Sequence, residues 1–193
     1  GQCCAGIIAA TPNNNKGIVG VSPNSWIIPI RIQKKPQNGE ANYMKNTRIA
    51  RGIKKSWSQF SSDILNNSWG STGLSSDVII DAYVRAATEG RGGKGCVVVA
   101  SSGNDYSSTN INFIGNINQV IAVGGIKGNG IRGEYSNYSS SLNIVAIGGG
   151  VCYVQTNGEY YPKGTIRTID REGSHGYANG NYYEHFGMTS AAA

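Results

Sequence analysis

The chain has 193 residues, of which 39% are hydrophobic and 15% charged, with a formal net charge of +6. That length suits one domain with a sizeable core, and the balance excludes a disordered tail or a charged coiled coil. No apolar run approaches the ~20 residues of a membrane span.

In chain order, the small apolar run of residues 1–10 reads as a tightly packed helix, and Asn13-Asn14-Asn15-Lys16-Gly17 as a loop. Residues 26–32 read as a buried strand despite Pro29, which lacks a donor for a sheet ladder. Ile49, Ile53 and Trp57 recur every fourth position and predict an amphipathic helix over 45–58. A short strand over 63–68 precedes a second helix over 76–89, with Val78, Ile79, Ala82, Ala86 and Ala87 inward and Gly90 as its stop. Residues 96–100 are valine-rich and continuous, as expected of a strand covered on both faces. Residues 120–123 and 142–147 read as further strands, 151–186 as extended loops with hairpins, and 189–193 as the first turn of a helix. Strands alternating with helices predict an α/β fold with a mostly parallel sheet flanked by helices. In such sheets the site lies beyond the carboxyl ends of the strands.

The basic residues Arg31, Lys34, Lys35, Lys45, Arg48, Arg51, Lys54 and Lys55 show no clear basic face with interleaved aromatics and no clear binding motif. They read as a solvated face and argue against a nucleic-acid partner. Cys3, Cys4, Cys96 and Cys152 show no CxxC pair and no zinc spacing, and adjacent Cys3 and Cys4 are badly placed to bond each other. Their redox state is left open.

Two small polar clusters, one at a helix start and one at a strand end, are the candidates for chemistry. In Thr189-Ser190-Ala191-Ala192-Ala193 a serine at a helix start sits among free backbone N–H groups, which suits a nucleophile and equally suits a helix cap. In Ala100-Ser101-Ser102-Gly103-Asn104 the terminal amide suits a donor to a developing oxyanion, and equally suits a turn asparagine. Each cluster alone leaves both readings open.

Taken together and in order, the pieces resemble the subtilase family of serine peptidases. Residues 1–10 resemble the helix after that family's catalytic histidine, and Asn15-Lys16-Gly17-Ile18-Val19-Gly20-Val21-Ser22-Pro23 resembles its Asn-x-Gly-x-x-Gly-Val-Ala-Pro stretch. Asn66-Asn67-Ser68-Trp69-Gly70 is similar to its Asn-x-Ser-x-Gly substrate strand. Ala100 to Asn104 are similar to its Ala-Ala-Gly-Asn motif, and Val120-Ile121-Ala122-Val123-Gly124-Gly125 and Tyr135-Ser136-Asn137 to later framework motifs. Residues 187–193 resemble the nucleophile motif Gly-Thr-Ser-x-Ala-Ala-Pro.

The resemblance implies a subtilisin-like fold cut at both ends. It makes Ser190 the nucleophile of a serine endopeptidase, and Asn104 its oxyanion donor together with the Ser190 N–H. Ser68, Trp69 and Gly70 would pair with a peptide substrate as an added strand. Ala100, Ser101, Ser102 and Gly103 would line the pocket for the residue before the scissile bond. Asp105 would stand at that pocket's rim, either favouring basic residues or simply solvated. Cys4 would be a buried free thiol. The partners implied are polypeptides, with a prodomain or inhibitor, in a secreted or cell-envelope setting. The chemistry requires no cofactor. Calcium enters through the loop after the first helix, where Thr11, Asn13, Asn14 and Asn15 offer oxygens but no carboxylate.

Three departures qualify the resemblance. Gln2 replaces a threonine, Met188 adds bulk before Thr189-Ser190, and the catalytic histidine and aspartate lie outside the 193 residues. His175 and His185 are the only histidines, both in the 151–186 stretch. The rival reading is therefore a catalytically inactive binding or scaffold domain on the same fold. A nucleotide-binding protein is set aside, because no glycine-rich loop follows a strand and opens a helix.

Overall fold

The computed structural model describes residues 1–33, 45–70, 75–109, 111–156 and 159–193, with 152–156 and 159–163 described in backbone only. Helix α1 (Gln2–Ala9) buries Cys3 and Gly6. The chain then doubles back along it, since Val21 N–H and Ser22 N–H donate to the carbonyls of Ile7 and Ile8 at 2.9 and 2.7 Å.

The strand expected over 26–32 does not form. That segment has no ladder partner among the described residues, Pro29 cannot donate to one, and Trp26 is 95% exposed. Only the end of the segment is covered, where Ile32 packs against the core.

Helix α2 (Asn46–Ser58) buries Ile49, Gly52, Ile53 and Ser56, while Arg51, Lys54 and Lys55 face solvent, as the spacing predicts. Arg48 is half-buried, and Lys34 and Lys35 lie outside the described residues.

Strand β1 (Ile64–Asn67) leads to helix α3 (Asp77–Gly93) and then to β2 (Val97–Ser101), β3 (Val120–Ile126) and β4 (Ile144–Ile147). These strands make a four-stranded sheet in the order β1-β2-β3-β4, parallel throughout. The inner face of α3 is Ile79, Ala82, Tyr83 and Ala86 at helical spacing. Val78 stands 50% exposed in the first turn, contrary to its expected inward place. Helical geometry ends at Gly90 (ψ 162°), as anticipated, and the chain turns through left-handed Arg91 and Gly92. A Cβ on Gly90 would come within 2.3 Å of the Cys96 sulfur, so this stop also needs the missing side chain.

The core lies between the sheet and α2 and α3. Val98, Ala100, Ile114 and Val120 meet Ile49, Ile53, Ile79 and Tyr83 there. β2 is not covered evenly on both faces as expected: Val98 and Ala100 are buried, while Val97 is exposed and Val99 half-buried.

The last stretch holds two antiparallel hairpins: β5 (Val151–Thr156) with β6 (Glu159–Gly164), and β7 (Ile166–Ile169) with β8 (Tyr182–Phe186). The second hairpin is fastened to α1, because Thr168 Oγ1 donates to the Cys3 carbonyl at 2.8 Å. A single helical turn, α4 (Thr189–Ala192), follows and packs against β2, β3 and β4.

Candidate active site

At the carboxyl ends of β1 and β2 the chain leaves the sheet through Ser68-Trp69-Gly70 and Ser102-Gly103-Asn104. Between these two exits and α4 lies an open cleft of about 340 Å³. Ser190 and Asn104 both line it, together with Ser68, Trp69, Gly70 and Ser101. Gly103, Asp105 and Asn112 complete the described lining. Residues separated by more than a hundred positions in sequence thus meet because parallel strands place their carboxyl ends side by side.

The serine is tied to one wall. Its hydroxyl donates to the Ser68 carbonyl at 3.3 Å, and the Ser68 hydroxyl donates to the Ser190 carbonyl at 2.9 Å. Cys4 lies beside it, with its thiol 3.8 Å from the same carbonyl.

Asn104 is tied to the residue just before the serine. Its Oδ1 accepts from the Thr189 N–H at 3.1 Å and from the Thr189 hydroxyl at 2.7 Å. Thr189 is fully buried, so these donors are fixed. An amide whose oxygen is engaged twice has its nitrogen turned to the other side. Of the first N–H groups of α4, that of Thr189 goes to Asn104, and those of Ala191 and Ala192 go to the Met188 carbonyl at 3.0 and 3.3 Å.

Met188, immediately ahead, holds φ 60° and ψ −160°. That region is almost confined to glycine, so the turn into Thr189-Ser190 is strained. The sequence marks Met188 only as bulky. Its backbone conformation comes from tertiary contacts, among them a bond from its N–H to the Gly148 carbonyl at 2.7 Å.

Three buried asparagines brace the cleft. Asn67 ends β1 and donates to the carbonyls of Leu65 and Val99, each at 3.1 Å. Its Oδ1 accepts from the Tyr83 hydroxyl at 2.6 Å and from Trp69 Nε1 at 3.3 Å. Burial pushes the Tyr83 phenol far up, so it remains a donor. Asn137, itself fully buried, accepts from the N–H groups of Asp105 and Ser107 at 2.8 and 2.9 Å and donates to Asp105 Oδ2 at 3.1 Å. Asn112 donates to the Trp69 carbonyl at 2.6 Å.

Sequence reading places Asn67 and Asn137 inside motifs without assigning them work, and it misses Tyr83 and Asn112. Short polar residues next to strand ends are the signal that was available. Their burial was not.

Of the other expected residues, Ser101 and Ser102 are buried at the end of β2 and Ala100 lies beneath them in the core. Asp105 is exposed at the rim. Neither histidine lines the cleft. His175 is exposed, and His185 stands edge-on to Tyr183 at 6.0 Å.

Cys4 is half-buried, and the buried thiol of the pair is Cys3. Burial above all, and then the charge of Asp170, push the Cys3 thiol up, while burial does the same to Cys96. Both are held as unreactive thiols. Cys3, Cys4 and Cys96 are free, and the side chain of Cys152 lies outside the described residues.

In the 11–15 loop Asn14 Oδ1 accepts from the Lys16 N–H at 3.0 Å. No group of three or more metal-binding side chains occurs among the described residues. These amides therefore do not by themselves fit calcium, which calls for carboxylates.

The sequence model of the subtilase family matches residues 1–193. The chain belongs to the subtilase family. This subtilase is 28% identical to a calcium-dependent protease of Trichormus variabilis, over all of the chain and 30% of that protein. It is 34% identical to a dibasic-processing endoprotease of Yarrowia lipolytica, over all of the chain and 19% of that protein. Among solved structures, a protease of Pseudoalteromonas arctica superimposes with a TM-score of 0.76 at 28% identity, covering 98% of this subtilase and 53% of that chain. The subtilase chain thus spans about a third or less of these two relatives.

Proposed function

We propose that the protein containing this chain is a serine endopeptidase, with Ser190 as nucleophile and Asn104 as an oxyanion donor. The observation that carries this is the double anchoring of Asn104 Oδ1 on Thr189, at 3.1 and 2.7 Å. Asn104 lines the same cleft as Ser190, and with its oxygen engaged its amide nitrogen is the end left to donate to a substrate. A peptide enters along Ser68-Trp69-Gly70 as an added strand. The Ser68 carbonyl, engaged by the Ser190 hydroxyl at 3.3 Å, takes a substrate N–H instead and frees the hydroxyl.

Ser190 Oγ then forms a bond to the scissile carbonyl carbon, and its proton passes to a histidine supplied from outside the 193 residues. Asn104 Nδ2 and the Ser190 N–H hold the resulting oxyanion. Collapse expels the amine, which takes its proton from the same histidine, and water hydrolyses the ester left on Ser190.

The substrates are polypeptides, and a prodomain or inhibitor would occupy the same cleft. The setting is secreted or cell-envelope. No helix of the described residues is long and apolar enough to cross a membrane. The relative named a calcium-dependent protease motivates testing the full-length protein for a calcium requirement.

The direct test is to react the full-length protein with a fluorophosphonate and map the adduct. Labelling at Ser190 that vanishes in Ser190→Ala supports the reading. A protein that neither labels nor cleaves is the inactive scaffold instead.

A further inference from the structure

The motif Tyr135-Ser136-Asn137 lies outside the described lining of the cleft, yet it braces both sides of it. Asn137 holds the loop after Asn104, and its N–H donates to the Gly103 carbonyl at 3.1 Å. Tyr135 reaches the other side. Its side chain is buried, and its hydroxyl donates to the Gly149 carbonyl at 2.8 Å. Burial above all, and then the charge of Glu134, push its phenol up to about 12, so the hydroxyl stays a donor. The ring sits directly on backbone. A Cβ on Gly125 or Gly133 would come within 2.6 Å of it.

Gly148 lies between Tyr135 and the turn that carries the serine. A Cβ there would meet the Tyr135 hydroxyl at 2.5 Å and the Met188 carbonyl oxygen at 2.6 Å. The Gly148 carbonyl accepts from the Met188 N–H at 2.7 Å, and the Met188 carbonyl accepts from the N–H groups of Ala191 and Ala192. Tyr135 thus bears on one side of Gly148-Gly149, and the residue that opens α4 bears on the other.

Met188 holds φ 60° and ψ −160°. A side chain persists in that region only where its surroundings over-determine it. Gly148-Gly149 supplies the opposing backbone, but two successive glycines are themselves free to move. The Tyr135 hydroxyl removes that freedom.

We infer that Tyr135 is a positioning residue for the nucleophile, its hydroxyl acting through Gly148-Gly149 to hold the strained Met188 turn that places Ser190. This rests on the endopeptidase reading above. Tyr135 acts on turnover rather than on binding. It packs against β3, whereas the segment along which substrate pairs leaves β1, two strands away.

The test uses the full-length protein. Tyr135→Phe keeps the ring and removes only the hydroxyl. The rate at which a fluorophosphonate labels Ser190 should fall about fivefold to tenfold, the scale of one buried hydrogen bond. In peptide cleavage kcat should fall by the same factor, with KM unchanged. A double-mutant cycle locates the action. In the Met188→Gly background the turn is no longer forced, so adding Tyr135→Phe should cost about twofold or less.

A Tyr135→Phe protein that melts earlier but labels and turns over like wild type would make the hydroxyl a packing brace and overturn the inference. Equal losses in the wild-type and Met188→Gly backgrounds would overturn the route through the turn. A raised KM with unchanged kcat would overturn it in favour of a binding role. In these three cases the wild type still labels, and the endopeptidase reading survives. A full-length wild type that cuts no peptide and takes no label brings both down together.

Discussion

Asn104 and Thr189 lie 85 positions apart and are joined by two hydrogen bonds onto one oxygen, at 3.1 Å from the Thr189 N–H and 2.7 Å from its hydroxyl. The contact links the end of β2 to the start of α4, and it holds the amide oxygen of Asn104 in place. Replacing Thr189 by valine keeps the shape and removes the hydroxyl donor. A hydrogen bond of this kind has a net worth of about 1 kcal/mol, so kcat should fall about fivefold with KM little changed. Asn104→Ala removes the donor itself and should lower kcat by about 10²–10³. Steady-state kinetics of the full-length variants check both.

Tyr83→Phe isolates the node beneath the cleft. It removes the 2.6 Å bond to Asn67 Oδ1 and leaves that oxygen with Trp69 Nε1 alone. The expected loss is about 1–2 kcal/mol of stability in urea unfolding, with most activity retained. No loss of stability would mean that the phenol contributes only packing.

Met188→Gly probes the strained turn. At φ 60° and ψ −160° a glycine is at ease and a methionine is not. The relief outweighs the added freedom of glycine in the unfolded chain, so a gain of about 1 kcal/mol and a higher Tm are expected. A fall in Tm would show that the Met188 side chain contributes more than the strain costs.

Asp170 supplies the acid limb. Burial is the largest influence on its carboxyl and disfavours the charged form. The N–H groups of Arg171, Ala178 and Tyr177 together outweigh it and hold the carboxyl below the usual aspartate value. A group lowered on folding contributes stability that is present above the unfolded value and lost as pH falls through the folded one. Asp170→Asn should therefore be less stable than wild type at neutral pH. The gap should narrow below about pH 4, where wild type loses its charge as well. Thermal melts across pH 3–7 measure the gap.

Legibility varied with the kind of interaction. Helix α2 was readable because Ile49 and Ile53 repeat at the helical period, and burial follows that period. β2 was readable as a continuous apolar run with a polar exit. Residues 26–32 were misread because the same composition, interrupted by Pro29, finds no ladder partner among the described residues. Ser190 and Asn104 were visible as motif members. Asn112 and Tyr83 were not, because an isolated polar residue or tyrosine carries no period and announces nothing until its partner is seen.

The amino-acid order alone determined the helices α2 and α3 and the strands β1, β2 and β3, and which short polar clusters follow them, because these follow from local spacing and turn chemistry. Only the folded chain decided that Thr189 holds the Asn104 amide oxygen, that Asn112 is tied to the Trp69 carbonyl, and that Met188 bears a glycine's backbone angles. Each depends on a hydrogen bond or close approach between residues far apart in sequence, and such a contact exists only once the parallel sheet has set its strand ends side by side.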